Sequence, residues 1–169
     1  GGKTNDKGFN IKEIVGKYKK VSEIPDGKDV SGNDILTMDC DLLIPAALGG
    51  VINDSNHEKV QAKIIVEGAN QPLTLSADAS LQKRGVVVVP DILANAGGVM
   101  GSYFEWTQNI QEFRWPIERF RDELDTRMKI AFDSTWEASL KYGCDLRTAA
   151  FVVSVERVAT AFKLRGDLL

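Results

Sequence analysis

The sequence predicts an α/β protein, with a parallel sheet early in the chain and long helices late. Three observations carry this expectation. Asp41-Leu42-Leu43-Ile44-Pro45, Lys63-Ile64-Ile65-Val66 and Val86-Val87-Val88-Val89 are short, continuous apolar runs, the pattern of strands buried on both faces of a parallel sheet. Between the last two lies a helix-sized segment, Ser76 to Arg84, with Asp78 in its first turn and Gly85 as a stop; parallel strands need such a crossover. Past Ala96 the apolar residues step by three and four, as in Ile117, Phe120, Leu124 and Met128, which gives helices one apolar face.

The remaining elements follow in order. The opening, from Gly1 to Asp6, is turn-like, and Asn10 is placed to cap a short helix carrying Ile11, Ile14, Val15 and Tyr18. Ser22 to Asn33 is rich in Pro, Gly, Asp and Ser and reads as a loop. A helix runs from Ala96 to about Gln111 with Tyr103, Phe104 and Trp106 on it. Pro116 opens a long helix to about Tyr142, ended by Gly143, and Asp145 caps a last helix through Lys163, stopped by Gly166. The α/β portion spans about 1–111 and the C-terminal helices about 112–169.

With 43% hydrophobic and 27% charged residues over 169 positions, the chain has globular composition and length for one domain with a core. A net charge of −3 and a pI near 5.3 argue against a nucleic-acid or anionic-membrane partner. No apolar run reaches the roughly 18 residues of a spanning helix, so a soluble, intracellular protein is expected. Cys40 and Cys144 have neither CxxC spacing nor a nearby histidine, which disfavours disulfides and zinc; no metal site is expected. His57, alone in a polar run, reads as a surface residue, and the charges from Glu118 to Asp125 read as a solvated helix face. No GxGxxG, Walker, GxSxG or HExxH motif occurs.

In open parallel sheets ligands bind beyond the carboxyl ends of the strands. Those ends here are Pro45-Ala46-Ala47, Glu67-Gly68-Ala69-Asn70 and Asn95-Ala96-Gly97-Gly98, all with small side chains. Missing side chains let a flat ring or sugar approach the backbone, and the amides of Asn70 and Asn95 each offer a donor and an acceptor. Taken singly, each site is better explained by tight helix packing or a turn; three convergent ends favour a ligand. Ser102, near the start of its helix and one turn beyond Val99, has a hydroxyl suited to a carboxylate; its ordinary alternative is a bond back to its own helix.

Five stretches together resemble the cofactor domain of glutamate dehydrogenases. They are Asp41 to Ala47, Ile65 to Asn70, Val89 to Val99, Ser102-Tyr-Phe-Glu-Trp106 and Asp145 to Ala150, in the family's order over about residues 8–166. The Asn-Ala-Gly-Gly-Val stretch is shared with leucine, phenylalanine and valine dehydrogenases, whereas Ser-Tyr-Phe-Glu-Trp is similar to the glutamate version. Leu48 to Asn53 and Gln108 to Gln111 resemble the small hexameric type. The resemblance implies reversible oxidative deamination of glutamate to 2-oxoglutarate and ammonia with NAD or NADP. It implies that Ser102 binds the side-chain carboxylate of glutamate and that Val99 lines the same pocket. It further implies that Ala46, Ala47, Gly68, Ala69 and Asn70 border the dinucleotide and that Asn95 bonds its nicotinamide end.

By the same resemblance, the fold is a partial Rossmann-like, doubly wound sheet lacking the first strands and their glycine loop. The residue choosing NAD or NADP and the domain with the catalytic lysine and aspartate would lie upstream of Gly1, leaving no catalytic residue in this chain. Its Gly-Gly start, without methionine, fits a cut. If the strand order is 3-2-1-4-5-6, the strands at Asp41 and Lys63 are expected to lack a neighbour between them and to leave exposed edges. The intact protein is expected to be a cytoplasmic or mitochondrial homohexamer, and this chain alone an inactive monomer or dimer. The alternatives are a leucine-, phenylalanine- or valine-type dehydrogenase segment and a non-catalytic nucleotide-binding or assembly module.

Overall fold

Short apolar runs of Leu, Ile and Val build the centre of the molecule. The computed structural model describes residues 1–166. In it β3 (Leu42–Leu43), β4 (Ile64–Val66) and β5 (Val87–Val89) form a three-stranded parallel sheet in the order β3-β4-β5. Leu43, Ile65 and Val88 lie in register on one face, buried against Ala77 and Leu81 of α3 (Leu75–Lys83). Thr74 caps α3, its hydroxyl accepting the Ala77 N–H, and Gly85 turns the chain into β5 with φ +82°.

The sheet departs from the sequence expectation in two ways. Leu42, Ile64 and Val87, in register on the opposite face, are 49%, 41% and 45% exposed, so among the described residues this face is half open and the strands are not buried on both sides. An apolar run reports that both faces are apolar; it does not report what covers them. The expected gap between the strands at Asp41 and Lys63 is also absent. β3 pairs directly with β4, in register from Leu42 opposite Ile64 to Leu43 opposite Ile65, which leaves no room for a strand between them.

The link from β3 to β4, residues 44–63, contains a single 3-10 turn, His57–Lys59, and no α-helix. Polar side chains hold it in shape. Asn56, buried, donates to the Val51 carbonyl and accepts the Asn53 N–H, while Arg84 donates to the carbonyls of His57 and Val60 at 2.8 and 2.6 Å. His57 is half-buried, with Nδ1 enclosed, and not the surface residue its polar neighbours implied.

The first forty residues also hold more structure than expected. β1 (Gly2–Thr4) pairs antiparallel with β2 (Lys28–Val30), with Lys3 opposite Asp29 and their charges 3.0 Å apart. Ser31 then caps a short helix, α2 (Gly32–Thr37). Both lie where the sequence read as turn and loop, since the pairing joins segments 26 residues apart and has no local signature. The helix after Asn10 is a single turn, α1 (Ile11–Ile14), and the Asn10 amide donates to Glu13 instead of capping it.

After β5, Pro90 starts the short α4 (Asp91–Ala94), and Asn95 links it to α5 (Ala96–Gln111). Next come α6 (Ile117–Tyr142), entered through Pro116 and ended by Gly143, and α7 (Leu146–Arg165), capped by Asp145. A Cβ at Gly101 would meet Phe120 at 3.4 Å, and one at Gly97 would approach Leu124 and Met128, so these glycines form the groove that receives α6. Phe104, fully buried, closes this joint with ring centroids 5.4 Å from Trp115 and 5.5 Å from Phe120.

Because Ile65 is wholly buried and its neighbour Ile64 faces the half-open side, Ile65→Ala should cost about 2–5 kcal/mol and Ile64→Ala less than half of that. Urea denaturation measures both; equal losses would mean that the two faces of the sheet are misassigned.

Candidate functional site

At the carboxyl end of the sheet the loops after β3, β4 and β5 are laced together. Ala69 donates its N–H to the Pro45 carbonyl at 2.9 Å, and Gly50 donates to the Gln71 carbonyl at 2.8 Å. Gly68 lies directly against Ala46: a Cβ there would stand 2.9 Å from the Ala46 Cβ. The smallness of Gly68 therefore serves close approach of two turns, as that of Gly97 serves helix packing. Ala46 and Ala47 are exposed, and they leave this end of the sheet without bulky cover.

The two candidate amides meet. Asn95 donates through Nδ2 to Asn70 Oδ1 at 2.6 Å, bridging the turns after β4 and β5. Among the described residues their other polar atoms, Asn70 Nδ2 and Asn95 Oδ1, make no hydrogen bond, so the bridge leaves one donor and one acceptor over. That pair complements a carboxamide, which carries one of each. The residues present thus fit the amide end of a nicotinamide dinucleotide.

Ser102 and Val99 are exposed on α5, one turn apart. Ser102 stands seven residues beyond Asn95, about 10 Å along the helix at 1.5 Å per residue. Its hydroxyl donates to the Gly98 carbonyl at 3.2 Å, the bond back to the helix that competes with a ligand. With Tyr103 and Trp106, whose rings are 5.8 Å apart, Val99 continues an exposed apolar stripe along α5.

Beneath the amides is a cluster that sequence reasoning missed. Arg147, in the first turn of α7, reaches three carboxylates: Glu67 at 2.8 Å, Asp78 at 2.7 Å and Asp91 at 3.3 Å. Glu67 is fully buried and Asp78 nearly so. Burial alone would lower the Arg147 pKa, but the hydrogen bonds and charges of Glu67 and Asp78 outweigh it and hold the guanidinium above its ordinary value, permanently charged. A signal was available: Glu67 ends an apolar strand, and a carboxylate there needs a cation or donors. Nothing in the spacing said that the cation would lie 80 residues away.

Asp145, two residues before Arg147, caps α7 by accepting from the Thr148 N–H at 2.9 Å and hydroxyl at 2.7 Å. Its partial burial raises the carboxyl pKa, but these bonds prevail and keep it below the usual value. Cys40 and Cys144 are free thiols, and burial with the nearby Asp39 and Asp41 raises the Cys40 pKa. No group of three or more metal-ligating side chains that could hold a metal ion occurs among the described residues. None of their helices is long and apolar enough to cross a membrane.

A three-stranded parallel sheet with its crossover helix and long C-terminal helices defines a partial Rossmann-like fold. Residues 1–166 match the family model for glutamate/leucine/phenylalanine/valine dehydrogenases, and the chain belongs to that family. It is 46% identical over 170 residues to glutamate dehydrogenase of Thermotoga maritima, covering 98% of this chain and 41% of that protein. It is also 46% identical over 173 residues to NADP-specific glutamate dehydrogenase of Saccharolobus shibatae, covering 99% and 41%. Among solved structures, the hetero-hexameric glutamate dehydrogenase of Thermus thermophilus in its Leu-bound form superposes with a TM-score of 0.86 at 31% identity, covering 95% of this chain and 38% of that one. The chain thus spans about two fifths of the length of the curated relatives it matches.

The contact between Gly68 and Ala46 gives a direct test. Gly68→Ala should destabilise the chain by about 1–3 kcal/mol through overpacking, and Ala46→Gly in the same chain should restore part of the loss. Thermal melts of the two single variants and the double variant read this out; no restoration would place the strain elsewhere.

Proposed function

We propose that this chain is part of the dinucleotide-binding domain of a glutamate dehydrogenase, an oxidoreductase that converts L-glutamate reversibly to 2-oxoglutarate and ammonia with NAD or NADP. The single observation that carries the reading is the Asn70–Asn95 bridge, with its free donor and acceptor, beyond the carboxyl ends of β4 and β5. In this reading the 169-residue chain is one such partial domain, α/β over about 1–111, with the C-terminal helices following over the described residues to 166. The names of the relatives at 46% identity support glutamate as substrate.

In this reading Asn95 and Asn70 would hold the carboxamide of the nicotinamide. Ala46, Ala47, Gly68 and Ala69 keep the floor low enough for the dinucleotide to lie against backbone. Ser102 turns its hydroxyl from the Gly98 carbonyl to the side-chain carboxylate of glutamate, with Val99 beside the aliphatic part of the substrate. A nicotinamide dinucleotide held there would supply the redox chemistry of the reaction. The chain's residues orient the two reactants, which is where much of the rate of a bimolecular step originates. The intact protein is a homohexamer in this reading, and the 169-residue chain by itself a monomer or dimer.

Amides, small side chains and one hydroxyl neither take up nor release protons near neutrality, so the 169-residue chain alone should show no glutamate-dependent reduction of NAD or NADP. It should bind NADH weakly, on the order of millimolar. NMR titration should place the shifts at Asn70 and Asn95. Turnover by the purified chain, or shifts confined to other regions, would contradict the proposal.

A further inference from the structure

We infer that Arg147 is a positioning residue for the Asn70–Asn95 pair, setting the geometry of the amides through two carboxylates that each tie down the opposite turn. Its relevance to cofactor binding rests on the dinucleotide reading above; its geometry does not.

The connections are reciprocal. Glu67 belongs to the end of β4, and while its Oε1 takes Arg147, its Oε2 accepts the N–H of Asp91 in the β5 turn at 2.7 Å. Asp91 belongs to the β5 turn; its Oδ1 meets Arg147, and its Oδ2 accepts the N–H of Gln71 in the β4 turn at 2.8 Å. Gln71 sits at φ +47°, a left-handed conformation uncommon for a residue with a side chain, and this bond together with the one its carbonyl accepts from the Gly50 N–H holds it there. Asn70 directly precedes Gln71, and the Asn95 N–H donates to the Asp91 carbonyl at 3.0 Å. A change in the tilt of either carboxylate therefore passes through one backbone bond to one of the amides.

A guanidinium is suited to this role. It is planar, and its Nε, Nη1 and Nη2 take Asp78, Asp91 and Glu67 respectively, so the directions to the three carboxylates are fixed relative to one another. A lysine ammonium carries the same charge without the fork. Asp78 supplies an internal control. It contacts Arg147 and accepts from Gln82 within α3, but it touches neither turn. On this inference loss of Asp78 should lower stability while the bonds of Glu67 and Asp91 to the opposite turns remain.

The test uses the full 169-residue chain, nitrogen-15 labelled, with the side-chain amide resonances of Asn70 and Asn95 assigned from Asn70→Asp and Asn95→Asp. Arg147→Lys and Asp78→Asn should both lower the melting temperature. Only Arg147→Lys should move the Asn70 and Asn95 resonances and abolish the shifts that millimolar NADH induces there. Glu67→Gln, which keeps the shape of the side chain, gives the same readout if Arg147→Lys does not fold: it should move both amides. The inference is overturned if Asp78→Asn moves the amides as far as Arg147→Lys does, or if neither Arg147→Lys nor Glu67→Gln moves them. Absence of any NADH-induced shift in the unsubstituted chain would overturn the dinucleotide reading, while the amide positions in the free chain would still decide the role of Arg147.

Discussion

One guanidinium facing three carboxylates is the constraint on which the carboxyl end of this sheet depends. Glu67, Asp78 and Asp91 come from the end of β4, the first turn of α3 and the start of α4, and Arg147 comes from the first turn of α7. Buried carboxylates are costly unless paired and hydrogen-bonded. The geometry meets that requirement in one arrangement, with the N–H groups of Asp91 and Gln71 taking up further carboxylate oxygens. The cluster thus joins the late helices to the early sheet, and it does so directly beneath the two amides that face outward.

The apolar core alone would leave this end loosely specified. Ile65, Val88 and Leu81 fix the sheet against α3, but they act on one face of short strands; beyond Val66 and Val89 the chain enters turns whose apolar anchors are Pro72, Leu73, Pro90 and Leu93. There hydrogen bonds and charge add direction to the apolar packing. Polar interactions are directional, so they hold a site to a tighter geometry than apolar contacts of equal strength.

Much of the fold was legible in the sequence because its signals were local. The runs around Leu43, Ile65 and Val88, the helix stop at Gly85, the cap at Asp145 and the proline at 116 all mark elements that the structure contains. The antiparallel pairing of Gly2–Thr4 with Lys28–Val30 was not legible, since each strand is three residues long and gains its stability from the other. At the site, Asn70 and Asn95 were found from their positions at strand ends, and the structure joins them. The smallness of Gly68 and Gly97 at strand ends is legible as well, but not that Ala46 and side chains of α6 approach them. Arg147 passed unnoticed because one arginine near a helix start looks like any surface charge until the fold brings Glu67 to it.

The coupling between Arg147 and Glu67 is the most direct measure of whether the cluster organises this end of the domain. In a double-mutant cycle by chemical denaturation, Arg147→Met alone should cost about 3–5 kcal/mol, because it strands buried carboxylates. Adding Glu67→Leu should cost far less than it does in the unsubstituted chain, giving a coupling of about 2 kcal/mol or more. Losses that add to within about 0.5 kcal/mol would mean that the two residues act independently, and would contradict the account.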